Sequence, residues 1–433
     1  MINQTSLNVA QLGTCQIPSP LKRKGKTRFV ADSARVVYDT EVDLENLGDH
    51  GLLLERAGAR EQIFFDPANT TVAIVTCGGL SPGLNNVIRS VFLELRHNYG
   101  VNRVLGIRNG YLGLNPESGL EPIELTPALV EAINDLGGTI LGTSRGPQDP
   151  AVMADFLESH DIDVLFTVGG DGTQRGADIL SRELLRRGHR KAIVGIAKTI
   201  DNDIAFVEMS FGYATALEEA AEVVRRAHVE ARAVLNGIGL VKVMGRDAGF
   251  VAAGAAVVSQ EANFVLVPEV AFPLEGEHGF LATLERRVRE RGHAVIVVSE
   301  GAGQQLVGRD QSTRDRSGNV KYADIGTFLG DRIKQHFADR GLTMYLRYID
   351  PSYAIRSVPA NAWDRYLSDR MARNAVHAAM AGKTDLVIGA WANRITHVPI
   401  GAVVSQTKQM SLNSDLWNAV LATTGQPRWG DAQ

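Results

Sequence analysis

From Thr71 onward the chain alternates short β-branched runs with stretches of helical period, and this alternation confines it to parallel sheets covered by crossover helices. The run "TVAIVT" (71–76) passes through glycines into "LNNVIRSVFLELRHN" (84–98), where Val87, Val91 and Leu95 recur at helical spacing. The same order continues with "VNRVLGI", "IDVLFTV", "KAIVGIA", "GIGLVKVM", "NFVLVP", "HAVIVVS" and "DLVIGA", with helical stretches such as "GTFLGDRIKQHFAD" among them. Eight or more such strands exceed one comfortable sheet, so the expected architecture is α/β with two sheets. A chain of 433 residues, 44% hydrophobic and carrying 44 glycines, has enough apolar side chains for two cores and enough glycine for tight turns after strands. Before about residue 70 the periodicity weakens. The best helical candidate there is "DLENLGDHGLLLERAG" (43–58), and the segment reads as an N-terminal extension.

Charge and cysteine content exclude several function classes. The formal net charge is -4 with Lys and Arg scattered, so no basic face marks nucleic acid as a partner. The exception is "LKRKGK" (21–26), which reads as a solvated arm or subunit contact, or else as a contact for an anionic partner. Two cysteines, Cys15 and Cys77, cannot form a disulfide framework, have no metal-ligand spacing, and fit a reducing compartment. No apolar run reaches the roughly 18 residues of a membrane span, and the first 30 residues lack a secretory apolar core, so the expectation is a cytoplasmic protein with no membrane partner.

Five polar turns follow strands: "CGGLSPG", "VGGDGT", "AKTIDND", "VMGRD" and "SEGAG". The carboxyl ends of strands line the ligand crevice of open α/β sheets, so these turns are expected to converge. In "CGGLSPGLNN" the glycines 78, 79 and 83 precede a helix, whose N-terminus and backbone N–H groups can face an anion; a merely tight turn would look the same. In "GGDGT" Asp171 sits between glycines, where it can hold a metal ion beside a polyphosphate or simply cap a helix. "AGKT" (381–384) has the tail of a P-loop, but His377 stands where the first glycine is required. In "AKTIDND" Asp201 and Asp203 would project to one side of an extended turn beside Lys198 and Thr199, as a general base and its neighbours would require.

Taken in order, "CGGLSPGLNNVIR", "NGYLGL", "GTSRGPQD", "GGDGTQRGA", "KTIDND", "NGIGLVKVMGRDAGFVA", "SEGAG" and "YIDPSYAIR" resemble the 6-phosphofructokinase family over roughly residues 70–400, in particular its branch with a long N-terminal extension. The resemblance implies two Rossmann-like domains with mainly parallel sheets and Mg2+-dependent phosphoryl transfer from ATP to the 1-hydroxyl of fructose 6-phosphate. It assigns Asp201 as base, with Thr199 and Asp203 orienting it, and Asp171 as metal ligand. Gly79, Lys198, Arg145 and Arg246 stabilise the transferring group, because positioning and electrostatics dominate this chemistry. Tyr111, Gly170, Gly172, Thr173 and Gly176 match the donor side. Met244, Gly245, Glu300, Arg347, Tyr353 and Arg356 match the sugar-phosphate side, where arginine forks suit a dianion.

Two departures stand out. Gly237 occupies the register where allosteric bacterial members carry an arginine that crosses to a neighbouring sugar site. Lys198 replaces the glycine before "TIDND", as in pyrophosphate-using relatives, while Gly172 keeps open the place where those relatives have an aspartate. The balance favours ATP, with pyrophosphate use and a non-catalytic sugar-phosphate sensor as the alternatives. Expected domains are an extension (1–70), a donor domain (71–212 with 355–400), a sugar-phosphate domain (213–354) and a C-terminal segment (401–433). The resemblance also implies a homo-oligomer, a tetramer.

Overall fold

The computed structural model describes residues 2–41, 51–308, 314 and 320–430. The chain divides into two compact units, Met1–Thr199 with Ile204–Gly212 and Ser357–Thr407, and Ile200–Asp203 with Tyr213–Arg356 and Lys408–Gln433. The C-terminal segment is therefore split, 401–407 belonging to the first unit and 408–430 to the second.

The first unit is built on a nine-stranded sheet. Its strands are β1 (Arg35–Val37), β2 (Leu53–Arg56), β3 (Thr71–Thr76), β4 (Arg103–Ile107), β5 (Ile123–Glu124), β6 (Val164–Gly169) and β7 (Ala192–Ala197), and, after the four strands of the second unit, β12 (Leu386–Trp391) and β13 (Arg394–Pro399). Across the sheet the order is β1-β2-β13-β12-β7-β6-β3-β4-β5. The five strands from β12 to β4 run parallel, and antiparallel strands extend both edges. Every residue of β3, β6 and β7 is buried, which explains their unbroken apolar runs: helices cover both faces of a parallel sheet. Strand order reverses between β3 and β6, so the turns after these two strands stand at the topological switch point, where α/β sheets bind ligands. Helix α1 (Leu84–Leu93) follows β3 and runs on as a π-helical turn over Glu94–Tyr99, α2 (Pro150–Ser159) precedes β6, and α3 (Asp171–Arg186) follows it. A late helix of the same unit, Ala362–Met380, packs on α1.

The segment before residue 70 is part of this unit. Leu53–Arg56, expected as part of a helix, is strand β2; Leu54 is fully buried and the strand pairs with Thr396 and His397 of β13. Leu54 has a sheet edge to cover, and tertiary pairing overrides the local helical pattern. Residues 43–50 of that candidate lie outside the described residues. Within the extension Arg60 donates to Asp32 at 2.8 Å and Glu55 at 3.1 Å, and Glu55 fastens it to the rest of the unit, with Lys383 at 2.8 Å and His397 Nδ1 at 3.0 Å. Burial alone would raise the Glu55 carboxyl, but the His397 hydrogen bond and the Lys383 charge overcome it and hold it down at about 2.

The second unit carries a four-stranded parallel sheet of β8 (Gly237–Val243), β9 (Phe264–Leu266), β10 (His293–Ser299) and β11 (Tyr345–Ile349), in the order β9-β10-β8-β11. Its helices are α4 (Tyr213–Arg232), α5 (Phe250–Ser259), α6 (Phe280–Arg291) and α7 (Ile325–Asp339), with α8 as the Ala362–Met380 helix of the first unit and α9 (Asp415–Thr424) closing the series. A Cβ at Gly237 would collide with the carbonyl oxygen of Ala231. This backbone has no room for an arginine there, so the subunit-crossing contact of the bacterial pattern cannot arise from position 237. No described helix is long and apolar enough to cross a membrane.

Candidate active site

In the first unit three turns from adjacent strands build one cradle. After β3, Gly78 adopts φ +81° and Gly83, at the N-cap of α1, φ +105°, conformations that cost a side-chain-bearing residue 1–2 kcal/mol or so. Lys198, at the end of β7, is buried and donates from Nζ to the Gly79 carbonyl at 2.5 Å. A Cβ at Gly78 would lie 3.7 Å from that ammonium and 3.9 Å from Thr173 Oγ1, so the bare turn, the lysine and the α3 terminus share one small space. The loop bearing Arg145 joins them through the Gly78 N–H, which donates to the Ser144 carbonyl at 3.1 Å; Arg145 itself is exposed. Tyr111 is buried and donates to the Thr173 carbonyl at 2.7 Å, and its ring lies where any side chain at Gly176 would have to go. Burial pushes the Cys77 thiol up to about 12, so this cysteine is neutral packing.

Gly170 caps α3, and Asp171 is its first residue, an acid at the positive end of a helix. Its carboxylate is half exposed and accepts from Arg175 Nε at 2.8 Å, one turn along. A Cβ at Gly172 would meet nothing within 4 Å. Among the described residues no cluster of three His, Cys, Asp or Glu forms a metal-binding group. One carboxylate beside exposed helix amides instead suits a divalent ion that arrives on phosphate oxygens and keeps several waters, so the residues present fit such an ion.

The "TIDND" turn straddles the division of the chain, with Thr199 in the first unit and Asp201 and Asp203 in the second. Ser210 Oγ donates to the Thr199 carbonyl at 2.6 Å, and the Lys408 N–H donates to the Asp203 carbonyl at 2.9 Å. The turn is not extended as the sequence suggested. Asn202, buried between the two aspartates, lies at φ +54°, a left-handed conformation that asparagine tolerates better than most residues.

In the second unit the turns after β8 and β10 interlock. The Glu300 N–H donates to the Val243 carbonyl at 3.0 Å and the Gly301 N–H to the Gly245 carbonyl at 3.1 Å. Gly245 has φ +123°, and a Cβ there would approach the Ala248 carbonyl to 2.7 Å, so the turn carrying Met244, Gly245 and Arg246 requires glycine. Burial raises the Glu300 carboxyl, partly offset by the charges of Arg246, Lys242 and Arg356, which places all four groups within one electrostatic neighbourhood. Arg356 is buried, with its guanidinium 5.0 Å from the exposed Tyr353 ring. Arg246 is turned back, donating to the Val320 carbonyl and stacked 4.2 Å over Tyr322. Arg347 stands apart: it is exposed in the middle of β11, opposite Gly239, and among the described residues no hydrogen bond or ion pair ties it to Glu300 or Arg356.

Sequence reasoning missed Lys242 and Arg175. Lys242 reaches Asp350 at 2.8 Å and Asp324 at 3.4 Å; burial would lower its pKa, but hydrogen bonds to Asp350 and Tyr348 hold the ammonium above its ordinary range. The signal was a lone lysine inside the apolar run "GLVKVM". For Arg175 it was the i, i+4 spacing from Asp171.

The family model for phosphofructokinase matches residues 71–379. The chain is 45% identical to the ATP-dependent 6-phosphofructokinase of Borreliella burgdorferi, over 97% of this chain and 96% of that protein. It is 46% identical to the one of Amycolatopsis methanolica, over 97% and 95%, and 43% identical to the one of Trypanosoma brucei brucei, over 98% and 88%. Among solved structures, a pyrophosphate-dependent phosphofructokinase from Marinobacter aquaeolei superposes with a TM-score of 0.67 at 22% identity, over 84% of this chain and 93% of that one. Phosphofructokinase from Pichia pastoris gives 0.63 at 23%, over 89% and 39%. At these identities the two structures establish the fold.

Proposed function

This chain belongs to the phosphofructokinase family, and from that premise we propose that it transfers the terminal phosphoryl group of ATP to the 1-hydroxyl of fructose 6-phosphate, giving fructose 1,6-bisphosphate. The observation that carries this reading is near-full-length likeness, at 45% identity, to an enzyme of that name. The open space at Gly172 supports ATP as donor, since a nucleotide brings an α-phosphate that must fit beside the first turn of α3.

In this reading the cradle of the first unit receives the donor phosphates on the α3 N-terminus, the Gly79 backbone and the Lys198 ammonium, with Arg145 closing from its loop. Tyr111, Thr173 and Gly176 shape the nucleotide side. Asp171 would be the protein ligand of a Mg2+ ion, which would supply neutralisation of the donor's phosphate charge. The Arg175 partner gives the Asp171 carboxylate a fixed direction. Asp201 accepts the proton of the 1-hydroxyl, and Thr199 and Asp203 hold the turn that presents it. In the second unit Met244, Gly245 and Glu300 contact the sugar while Tyr353, Arg356 and Arg347 receive the 6-phosphate. Arg246 stabilises the charge of the transferring group. The chain acts as a homotetramer in the cytoplasm; free thiols at Cys15 and Cys77 support the reducing compartment. The test is a steady-state assay on fructose 6-phosphate with Mg·ATP and Mg·pyrophosphate side by side. A faster rate with pyrophosphate overturns the assignment of donor.

A further inference from the structure

The basic run at residues 21–26 is not among the residues assigned to phosphoryl transfer, yet the fold places it on a cavity. A hollow of about 1210 Å³ in the first unit lies among the N-terminal segment around residues 21–34, the β2 end at 56–59, the π-helical turn after α1, and α8. Six cations line it: Lys24, Lys26 and Arg28 from the segment, Arg56 from β2, and Arg370 and Arg373 from α8. Two carboxylates, Glu94 and Asp369, oppose them. Asp369 is engaged by Arg373 at 2.8 Å, and Arg370 donates to Asn393. Among the described residues, no ion pair joins a carboxylate to Lys24, Lys26, Arg28 or Arg56. The excess of positive charge is therefore left facing the hollow.

The walls are built. The Val30 N–H donates to the Ala59 carbonyl at 2.9 Å, and Arg60 ties Asp32 to the network around Glu55. Gly58 lies at φ +143°, and a Cβ there would press within 2.5 Å of Val30, so the segment packs directly against the residues that follow β2. In the floor, His377 is buried against the Tyr99 hydroxyl at 2.9 Å, and burial together with the charges of Lys26 and Arg373 keeps it neutral, down to about 3. Glu94 is buried there too; burial pushes its carboxyl up, with Arg373 and Lys26 pulling the other way. Lys26 is exposed and lines the same hollow. A half-exposed aromatic ring, Tyr366, and two amides, Asn98 and Asn374, complete the lining.

We propose that this cavity binds a small metabolite carrying two or more phosphoryl groups, at a site none of whose residues belongs to the donor or sugar-phosphate machinery. Cations on three separate elements call for more than one anionic group. A concave hollow with polar and aromatic side chains between the charges suits a small molecule, where an extended polyanion would need a continuous stripe. The N-terminal extension is then the element that makes the site, since it supplies four of the six cations, Lys24, Lys26, Arg28 and Arg56.

The probe is inorganic tripolyphosphate, titrated calorimetrically into the full-length protein, the pair Lys26→Ala/Arg56→Ala, and the charge-retaining pair Lys26→Arg/Arg56→Lys. Neither residue is in the proposed catalytic machinery, so both pairs should keep wild-type kcat on fructose 6-phosphate when assayed without the probe. The wild type and the charge-retaining pair should show one more binding event than the alanine pair, or one weakened there at least ~10-fold, as two lost charge-assisted contacts imply. Repeating the titration with a sugar bisphosphate and a nucleoside diphosphate identifies the source, by which of them loses an event in the alanine pair. Identical tripolyphosphate isotherms for all three proteins would overturn the proposal and leave the assigned reaction standing.

Discussion

Gly172 offers the most discriminating test of donor choice. It is the second residue of α3, and a Cβ there meets nothing within 4 Å, so Gly172→Asp enters open space without displacing any neighbour. An added acid in the first turn of a helix is itself favourable by about 0.3–1 kcal/mol, so the fold should tolerate the change. The cost falls on the ligand. A carboxylate about 4 Å from a phosphate oxygen, at an effective dielectric of about 20, is repelled by about 4 kcal/mol, or roughly 10³-fold. Lys198 and the divalent ion offset part of this, so kcat/KM for ATP should fall on the order of 10²- to 10³-fold. Pyrophosphate has no α-phosphate beyond the transferring pair and should lose less than about 10-fold, since Lys198 serves the transferring group with either donor. Gly172→Ala separates volume from charge and should stay within a few-fold of wild type for ATP. The assay is kcat/KM for each donor in all three proteins. An unchanged donor ratio in the Asp variant, or an Ala variant as impaired as Asp, refutes the claim that open, uncharged space at this position selects ATP.

Three further perturbations address the base, the sugar phosphate and the anchoring of the extension. Asp201→Asn should lower kcat by about 10²- to 10⁴-fold while binding of fructose 6-phosphate and thermal stability hold, and near-normal kcat would remove Asp201 from the mechanism. Arg356→Ala should raise KM for fructose 6-phosphate far more than KM for ATP, by an equivalent of about 2–4 kcal/mol; equal rises would mark the arginine as structural. The Glu55 carboxyl, depressed from 4.5 to about 2, contributes up to about 3 kcal/mol that is fully present above pH 4.5 and lost as pH falls toward 2. Glu55→Gln should therefore destabilise the protein to urea at pH 7, with a gap from wild type that narrows steadily below pH 4.5. A gap independent of pH would mean that the stabilisation does not depend on the ionised carboxylate.

The sequence by itself determined the architecture from residue 71 and the positions of the glycine turns that follow its strands. Strands buried on both faces must be written as apolar runs, and turns that face phosphate must be bare, so "TVAIVTCGG" and "LFTVGGDG" declare strand, turn and helix with no tertiary information. Local pattern failed where a segment's conformation depends on a distant partner. Leu53–Arg56 becomes a strand because Thr396 and His397 offer it a sheet edge, and Glu55 is tolerated in the interior only because Arg60, Lys383 and His397 surround it. The bend at Asn202 was equally illegible, since a left-handed asparagine has no periodic signature and an extended turn was the simpler reading. Tertiary structure alone decided that Lys242 pairs with Asp350 and Asp324, and that Gly237 lies too close to Ala231 for any side chain. It also decided that a basic stretch with no motif of its own, Leu21–Lys26, forms one wall of a charged cavity whose other wall lies more than three hundred residues away in the chain. Periodicity records what each segment buries; which segments meet is set by packing between residues far apart in sequence, and no local spacing encodes it.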